Sequence, residues 1–395
     1  MPWVTLNPPF RGEHCGSLKR PLPLLEKRQL VKEGKLSQQE LTAAEDEAIK
    51  AAVKMQMDVG IKAITDGEIR RAMFYDGVFD NLDGMKVVTE DHLDLFMDYI
   101  PMKAAFKIKG PPAASICVGK IKRTKPFYGP DFDFLKTIVP EKDHKGIKIT
   151  MGPPSYYHLR LGTNAYSKDV YSTDEEYFAD LTKAYREEIA DLYSRGCRNV
   201  QIDDPGLAYF CDVNMVKGMK DQGLDPDYLL NLYIQAYKDC LSEKPAGMNI
   251  GLHLCRGNYT GGQHFSQGGY DDIAIKLFNE IPVDTYYLEY DSDRAGTFEP
   301  LKHLPKNKVV VLGLVTSKAP ELEDMELLKK RIDSAAETIA NGVQPRSKAE
   351  ALNQICISPQ CGFASSAAGN PVSEQNVVDK LSLVVKTAKE VWVDA

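Results

Sequence analysis

No apolar run in this 395-residue sequence reaches the ~18 residues that a membrane-spanning helix needs, so a helical membrane protein is excluded. A surplus of positive charge is missing too. Lys and Arg number 49 against 56 Asp and Glu, net −7, which gives no cationic footprint for nucleic acid and leaves a small-molecule partner as the expectation. Residues Met1 to Pro9 have neither the basic start nor the apolar core of a secretion signal, and a cytoplasmic enzyme is expected. The eight cysteines (15, 117, 197, 211, 240, 255, 356 and 361) are scattered and frame no small disulfide scaffold. In a reducing compartment they are free, buried or metal-bound, most of them as ordinary core residues. Internal repeats, coiled-coil heptads and low-complexity tracts are absent.

What the chain does contain is an alternation of short apolar runs with amphipathic stretches. Glu13 to Ser17 reads as a first strand and Ile61 to Glu68 as a second. Between them Ser37, with Glu40 three residues on, caps a helix that Gly60 ends. Residues 82–146, rich in Lys, Pro and Asp with a β-like segment at Ala114 to Lys120, break the rhythm as a hairpin-bearing insertion. Strands resume at Gly146–Gly152, Asn199–Asp203, Asn249–Cys255, Asp284–Tyr290, Lys308–Val315 and Gln354–Ser358. The helices between them open near Ser172, at Asp225-Pro226 and near Glu321. Lys308–Val315 is a continuous apolar run of the kind buried on both faces. Eight strands alternating with helices argue for an α/β chain folded as one (β/α)8 TIM barrel domain over residues 1–395, with the insertion after its second strand.

Such a barrel gathers strand C-terminal ends at one mouth, and here those ends are chemically loaded. His253 and Cys255, two apart on a strand, face the same way and can share a soft or borderline cation such as zinc. Glu289 and Cys361, each at or just past the end of a β-rich run, are the candidates to complete the set. Taken singly each residue has a plain alternative: core filler for Cys255, a satisfied buried imidazole for His253, a helix cap for a strand-end Ser or Asp. Arrival at one rim makes the joint reading the stronger one. Two thiolates, a carboxylate and a neutral imidazole around Zn2+ sum to −1, which makes the ion a poor activator of water. Such a site suits capture of another thiol, kept nucleophilic near neutral pH, and so points to alkyl transfer to sulfur. Four protein ligands also describe a closed structural site, unless Glu289, the hardest donor, gives way to the incoming thiol. Ser17, Glu68 and Asp203 supply a hydroxyl and two carboxylates able to hold the ammonium of an amino-acid thiol. Asp204 is the candidate proton carrier or else a cap. Arg256 pairs with a carboxylate ligand, a substrate acid or a structural partner.

At these residues the chain resembles the catalytic barrel of cobalamin-independent methionine synthase, and more closely the short single-barrel proteins related to it. The matching motifs are Glu13-His14-Cys15-Gly16-Ser17, Thr65-Asp66-Gly67-Glu68, Gln201-Ile202-Asp203-Asp204-Pro205, His253-Leu254-Cys255-Arg256-Gly257-Asn258, Tyr287-Leu288-Glu289 and Ser358-Pro359-Gln360-Cys361-Gly362, in the family's order. The resemblance implies a zinc cofactor held by His253, Cys255, Glu289 and Cys361. It also implies homocysteine gripped by Ser17, Glu68 and Asp203, and a methyltransferase that passes a methyl group from a methylated folate to its thiol in methionine biosynthesis. The chain departs from the full-length synthase in having no room for the second, N-terminal barrel that helps bind the folate tail. Thr150 to Tyr157 lacks the tryptophan that the synthase sets beneath the pterin, leaving Tyr156 or Tyr157 to stack there, and Leu314 to Pro320 lacks its proton-shuttling histidine. The alkyl donor is therefore a methylfolate, a methyl-corrinoid or another electrophile, the last by likeness to epoxyalkane:coenzyme M transferase.

Overall fold

A computed structural model describes residues 4, 6–90, 92–100, 103, 107, 113–258, 263–367 and 369–395. Two helices, α1 (Leu22–Lys32) and α2 (Gln38–Val59), come first. The second begins at Ser37, whose hydroxyl accepts from the Glu40 N–H while the Glu40 carboxylate accepts from the Ser37 N–H, and it ends at left-handed Gly60. An antiparallel hairpin follows, β1 (Leu82–Val88) with β2 (Ala114–Arg123), so the 82–146 stretch does carry a hairpin; part of it lies outside the described residues. The stretch also holds a helix, α3 (Gly129–Ile138), that the sequence reading did not assign.

From there strands and helices alternate: β3 (Lys148–Met151), α4 (Tyr156–Leu161), α5 (Asp174–Ser194), β4 (Asn199–Asp203), α6 (Val213–Asp221), α7 (Pro226–Cys240) and β5 (Asn249–Leu254). The chain continues through α8 (Ala274–Glu280), β6 (Thr285–Glu289), β7 (Val309–Val315), α9 (Met325–Ala340), α10 (Lys348–Asn353), β8 (Ile355–Pro359) and α11 (Glu374–Val391). Strands β3 to β8 form one six-stranded sheet in sequence order, every neighbouring pair parallel. All of their residues are buried, which is why they read as apolar runs rather than alternating ones. Helix α9 starts at Met325, capped by Asp324, rather than near Glu321.

The two expected N-terminal strands occupy their places without forming regular ladders. At one edge of the sheet the Ile357 N–H donates to the Arg11 carbonyl and the Glu13 N–H to the Ile357 carbonyl; at the other, Lys148 N–H reaches Ile64 and Ile64 N–H reaches Gly146. Elsewhere in these segments side chains take the backbone groups that a neighbouring strand would have taken. The Gln56 amide bonds both the N–H and the carbonyl of Thr65, the Thr65 hydroxyl donates to Gly16, and His14 Nε2 donates to Ala63. Left-handed backbone at Gly16, Gly67 and Glu68 ends any extended run there.

Inside this layer Lys148 Nζ lies 2.8 Å from Glu13 Oε2, both side chains fully buried, with the ammonium 4.7 Å from the centre of the Tyr287 ring. The pair fastens the N-terminal segment to β3. Lys148→Met leaves a carboxylate in a dry interior without its counter-charge, and denaturant unfolding is expected to show a loss of ~3–5 kcal/mol. Adding Glu13→Gln should restore most of it; a single variant as stable as the double one would show that the pair does not act as a unit.

Candidate metal centre

The C-terminal ends of β4 to β8 lie side by side, with Asp203 opposite His253 and Glu289 opposite Gly313 in the ladders. His253 is the penultimate residue of β5, Cys255 follows its end, Glu289 closes β6 and Cys361 stands two residues past β8. One donor atom from each of these four lies within 4.8 Å of all the others. The Cys255 and Cys361 sulfurs are 3.2 Å apart. All four residues are buried.

The surrounding bonds prepare these groups for a cation. His253 Nδ1 lies 3.1 Å from the Tyr287 carbonyl, which can only accept, so the proton sits on Nδ1 and the lone pair on Nε2. Nε2 is buried and has no protein partner. The Arg256 N–H donates to Glu289 Oε1 (2.9 Å), Arg294 to Glu289 Oε2 (3.0 Å), and the Gly257 N–H to the Cys255 sulfur (3.2 Å). The Cys361 sulfur, and after it burial, push the Cys255 thiol well above its ordinary range. Two thiolates cannot sit side by side in a dry site unless a positive ion lies between them. Two soft sulfur donors, an imidazole nitrogen and a carboxylate are the donor set that zinc takes. All eight cysteines are free and buried, and these two are the pair brought together at the donor set.

Beside this cluster is a cleft lined by His253, Cys255 and Cys361 and by Ser17, Glu68 and Asp203. Glu68 follows Gly67 in a left-handed turn (φ 57° and 69°), a conformation that costs a non-glycine residue ~1 kcal/mol or more and is met mostly where function requires it. Its carbonyl accepts from Arg20 (2.7 Å), its Oε1 from the Thr150 hydroxyl (2.9 Å), and its Oε2 is buried with no partner. Burial pushes the Glu68 carboxyl up to about 7; Arg71 opposes the shift and Asp203 adds to it. Asp203 is raised for the same first reason, although Gln201 Nε2 donates to it at 2.6 Å. Ser17 faces the turn after Cys361, where Gly362 leaves it room: a Cβ there would collide with the Ser17 hydroxyl.

Asp204, the expected proton carrier, is not brought to the cleft. Its Oδ1 accepts the Gly206 and Leu207 N–H groups and its Oδ2 the Ser155 and Tyr237 hydroxyls, so it serves as a buried cap for the turn after β4. The Arg256 side chain does not bond a ligand carboxylate either; its guanidinium lies 4.4 Å from the centre of the Tyr270 ring. Tyr156, singled out from sequence, lines the cleft; sequence reasoning missed Phe74 and Arg160, which line it too. They come from the loop after the second expected strand and from α4, where no strand-end rule points.

Comparison with known proteins fits this arrangement. The profile of the family described as "Cobalamin-independent synthase, Catalytic domain" matches residues 159–390, which hold all four donors. The chain is 33% identical over 388 residues to the uncharacterised protein YxjG of Bacillus subtilis, covering 98% of this chain and 96% of that one. It is 26% identical over 276 residues to a methionine synthase of Sulfolobus acidocaldarius, covering 69% of each. Among solved structures, a Listeria monocytogenes structural-genomics target assigned to vitamin-B12-independent methionine synthase superposes with a TM-score of 0.73 at 30% identity, over 97% of this chain and 98% of that one. The family profile covers more than half of the chain and takes in all four donors of the cluster, and the chain belongs to the cobalamin-independent synthase family as a bearer of its catalytic domain.

Proposed function

We propose that this protein is a zinc-dependent thiol alkyltransferase and that it transfers a methyl group to the thiol of homocysteine to give methionine. The observation that carries the reading is the buried set of His253, Cys255, Glu289 and Cys361, with an unpartnered imidazole nitrogen, opening on a cleft that also presents Glu68 and Asp203. Zinc held by these four residues would supply a Lewis acid able to lower the pKa of a thiol and keep its sulfur nucleophilic near neutral pH.

The chain's own groups do the rest. Glu68 Oε2, free of any partner, and Asp203 receive the ammonium of the amino-acid thiol, with the Ser17 hydroxyl beside them. Glu289 would be one of the groups holding the ion, and the Arg256 N–H and Arg294 fix its two oxygens in place. The names of the Sulfolobus relative and the Listeria structure support methionine as the product.

The test is turnover of zinc-loaded protein with L-homocysteine and, in separate reactions, a methylated tetrahydrofolate, a methyl-corrinoid and a small epoxide. Methionine is expected from one of the methyl donors. Thiol-dependent loss of the epoxide with no methionine from any donor would reassign the electrophile, and undiminished turnover after chelation of the metal would end the zinc reading.

A further inference from the structure

The cleft has a second pole. Arg160, on α4, lines it and is only 7% exposed. Its guanidinium makes a hydrogen bond to the Tyr156 carbonyl of its own helix (2.9 Å), and no carboxylate lies within ion-pair distance of it among the described residues. Of the buried arginines without an ion pair among the described residues, Arg20, Arg71, Arg160 and Arg256, Arg160 is the one that lines the cleft. The acid nearest in charge, Asp204, has both oxygens taken by four other donors. A cation withdrawn from water is costly unless something answers its charge, and at the wall of a ligand cleft that answer comes with the ligand.

The aromatic residues around it are arranged to hold this cation. Arg160 Cζ lies 3.7 Å from the centre of the Tyr156 ring, and the Tyr75 ring centre is 4.0 Å from the same point. Two groups so close cannot share one face, so both faces of Tyr156 are covered. Tyr157 meets Phe79 (4.8 Å) and Tyr156 (5.1 Å) edge to face. The expectation that Tyr156 stacks a flat ring therefore gives way: Tyr156 aims a guanidinium into the cleft.

We propose that Arg160 receives an anionic group, a carboxylate or a phosphate, carried by the alkyl donor. The assignment to the donor rests on the functional reading above, in which Glu68, Asp203 and Ser17 take the amino-acid thiol. The test uses calorimetry on the zinc-loaded protein with four probes: L-homocysteine, glutarate, inorganic phosphate, and the uncharged glutaramide. One of the two anions is expected to bind, and which one identifies the group; glutaramide is not. Arg160→Gln should weaken that anion by about 10-fold or more and Arg160→Lys should recover part of it, with homocysteine affinity unchanged in both. Neither anion binding, equal binding in Arg160→Gln, or parallel loss of homocysteine affinity, which would give Arg160 to the amino acid's own carboxylate, overturns the inference. Arg160-dependent anion binding without any homocysteine binding would defeat the acceptor reading alone.

Discussion

Cys361→Ser is expected to remove bound metal and activity together. Its sulfur stands 3.2 Å from that of Cys255, close enough for both to touch one ion. A serine hydroxyl is a harder donor and does not ionise near neutral pH, so the variant keeps the space and loses the charge. Elemental analysis should show zinc falling from about one per chain to a small fraction of that, and methionine formation should fall by about 100-fold or more, because even outer-shell changes cost 10- to 100-fold. Cys361 is only 3% exposed and serine is smaller, so the far-ultraviolet circular dichroism should not change. A variant that turns over normally without metal would refute the donor set.

Glu68→Gln should separate acceptor binding from metal binding. The substitution keeps the shape and the strained backbone but removes the charge that, on the proposed reading, would face the ammonium. We expect the KM for homocysteine to rise by about 10- to 100-fold, as loss of one charged hydrogen bond implies, with zinc content unaltered. Because burial holds the wild-type carboxyl at about 7, homocysteine affinity should fall between pH 8 and pH 6 more steeply in wild type than in the glutamine variant, which has no proton to gain there. Stability moves the opposite way. The folded carboxyl binds its proton more tightly than the unfolded one, so this group stabilises below the ordinary glutamate pKa of 4.5 and loses that contribution as pH rises through about 7. Ligand-free Glu68→Gln should accordingly melt a few degrees (~2–5 °C) above wild type at pH 8, with no gain at pH 4. A variant less stable than wild type at pH 8 would contradict the buried-charge account.

The expectation drawn from sequence is most accurate where a single physical cause dominates. The β5 to β8 strands fall within a residue or so of their expected limits because a parallel strand buried on both faces has to be apolar throughout. The convergence of His253, Cys255, Glu289 and Cys361 follows from the same layout, since residues at or just beyond the ends of adjacent strands have nowhere else to go. The first two strand positions are less legible because Gln56, Thr65 and His14 satisfy their backbone through side chains, a pairing set by tertiary structure rather than by local pattern. Asp204 misleads because an acid after a strand serves equally as a catalyst or as a cap, and its partners Tyr237 on α7 and Ser155 just before α4 are brought to it by tertiary structure from more than thirty residues away. Arg160 is invisible in the sequence: only the rings of Tyr75 and Tyr156 make it more than a helix-surface cation.

The closeness of the two sulfurs also bears on how the protein ages. With no ion between them, the Cys255 and Cys361 sulfurs are about 1.2 Å from bonding length, given the ~2.05 Å of a disulfide. Peroxide would take the two thiol hydrogens, leave a bridge and release two waters. A bridged pair can form no thiolate, so metal added later finds the door shut until a reductant reopens it. An ion seated there would thus preserve the very groups that hold it, and oxidative stress and metal scarcity should harm this enzyme far more together than either does alone.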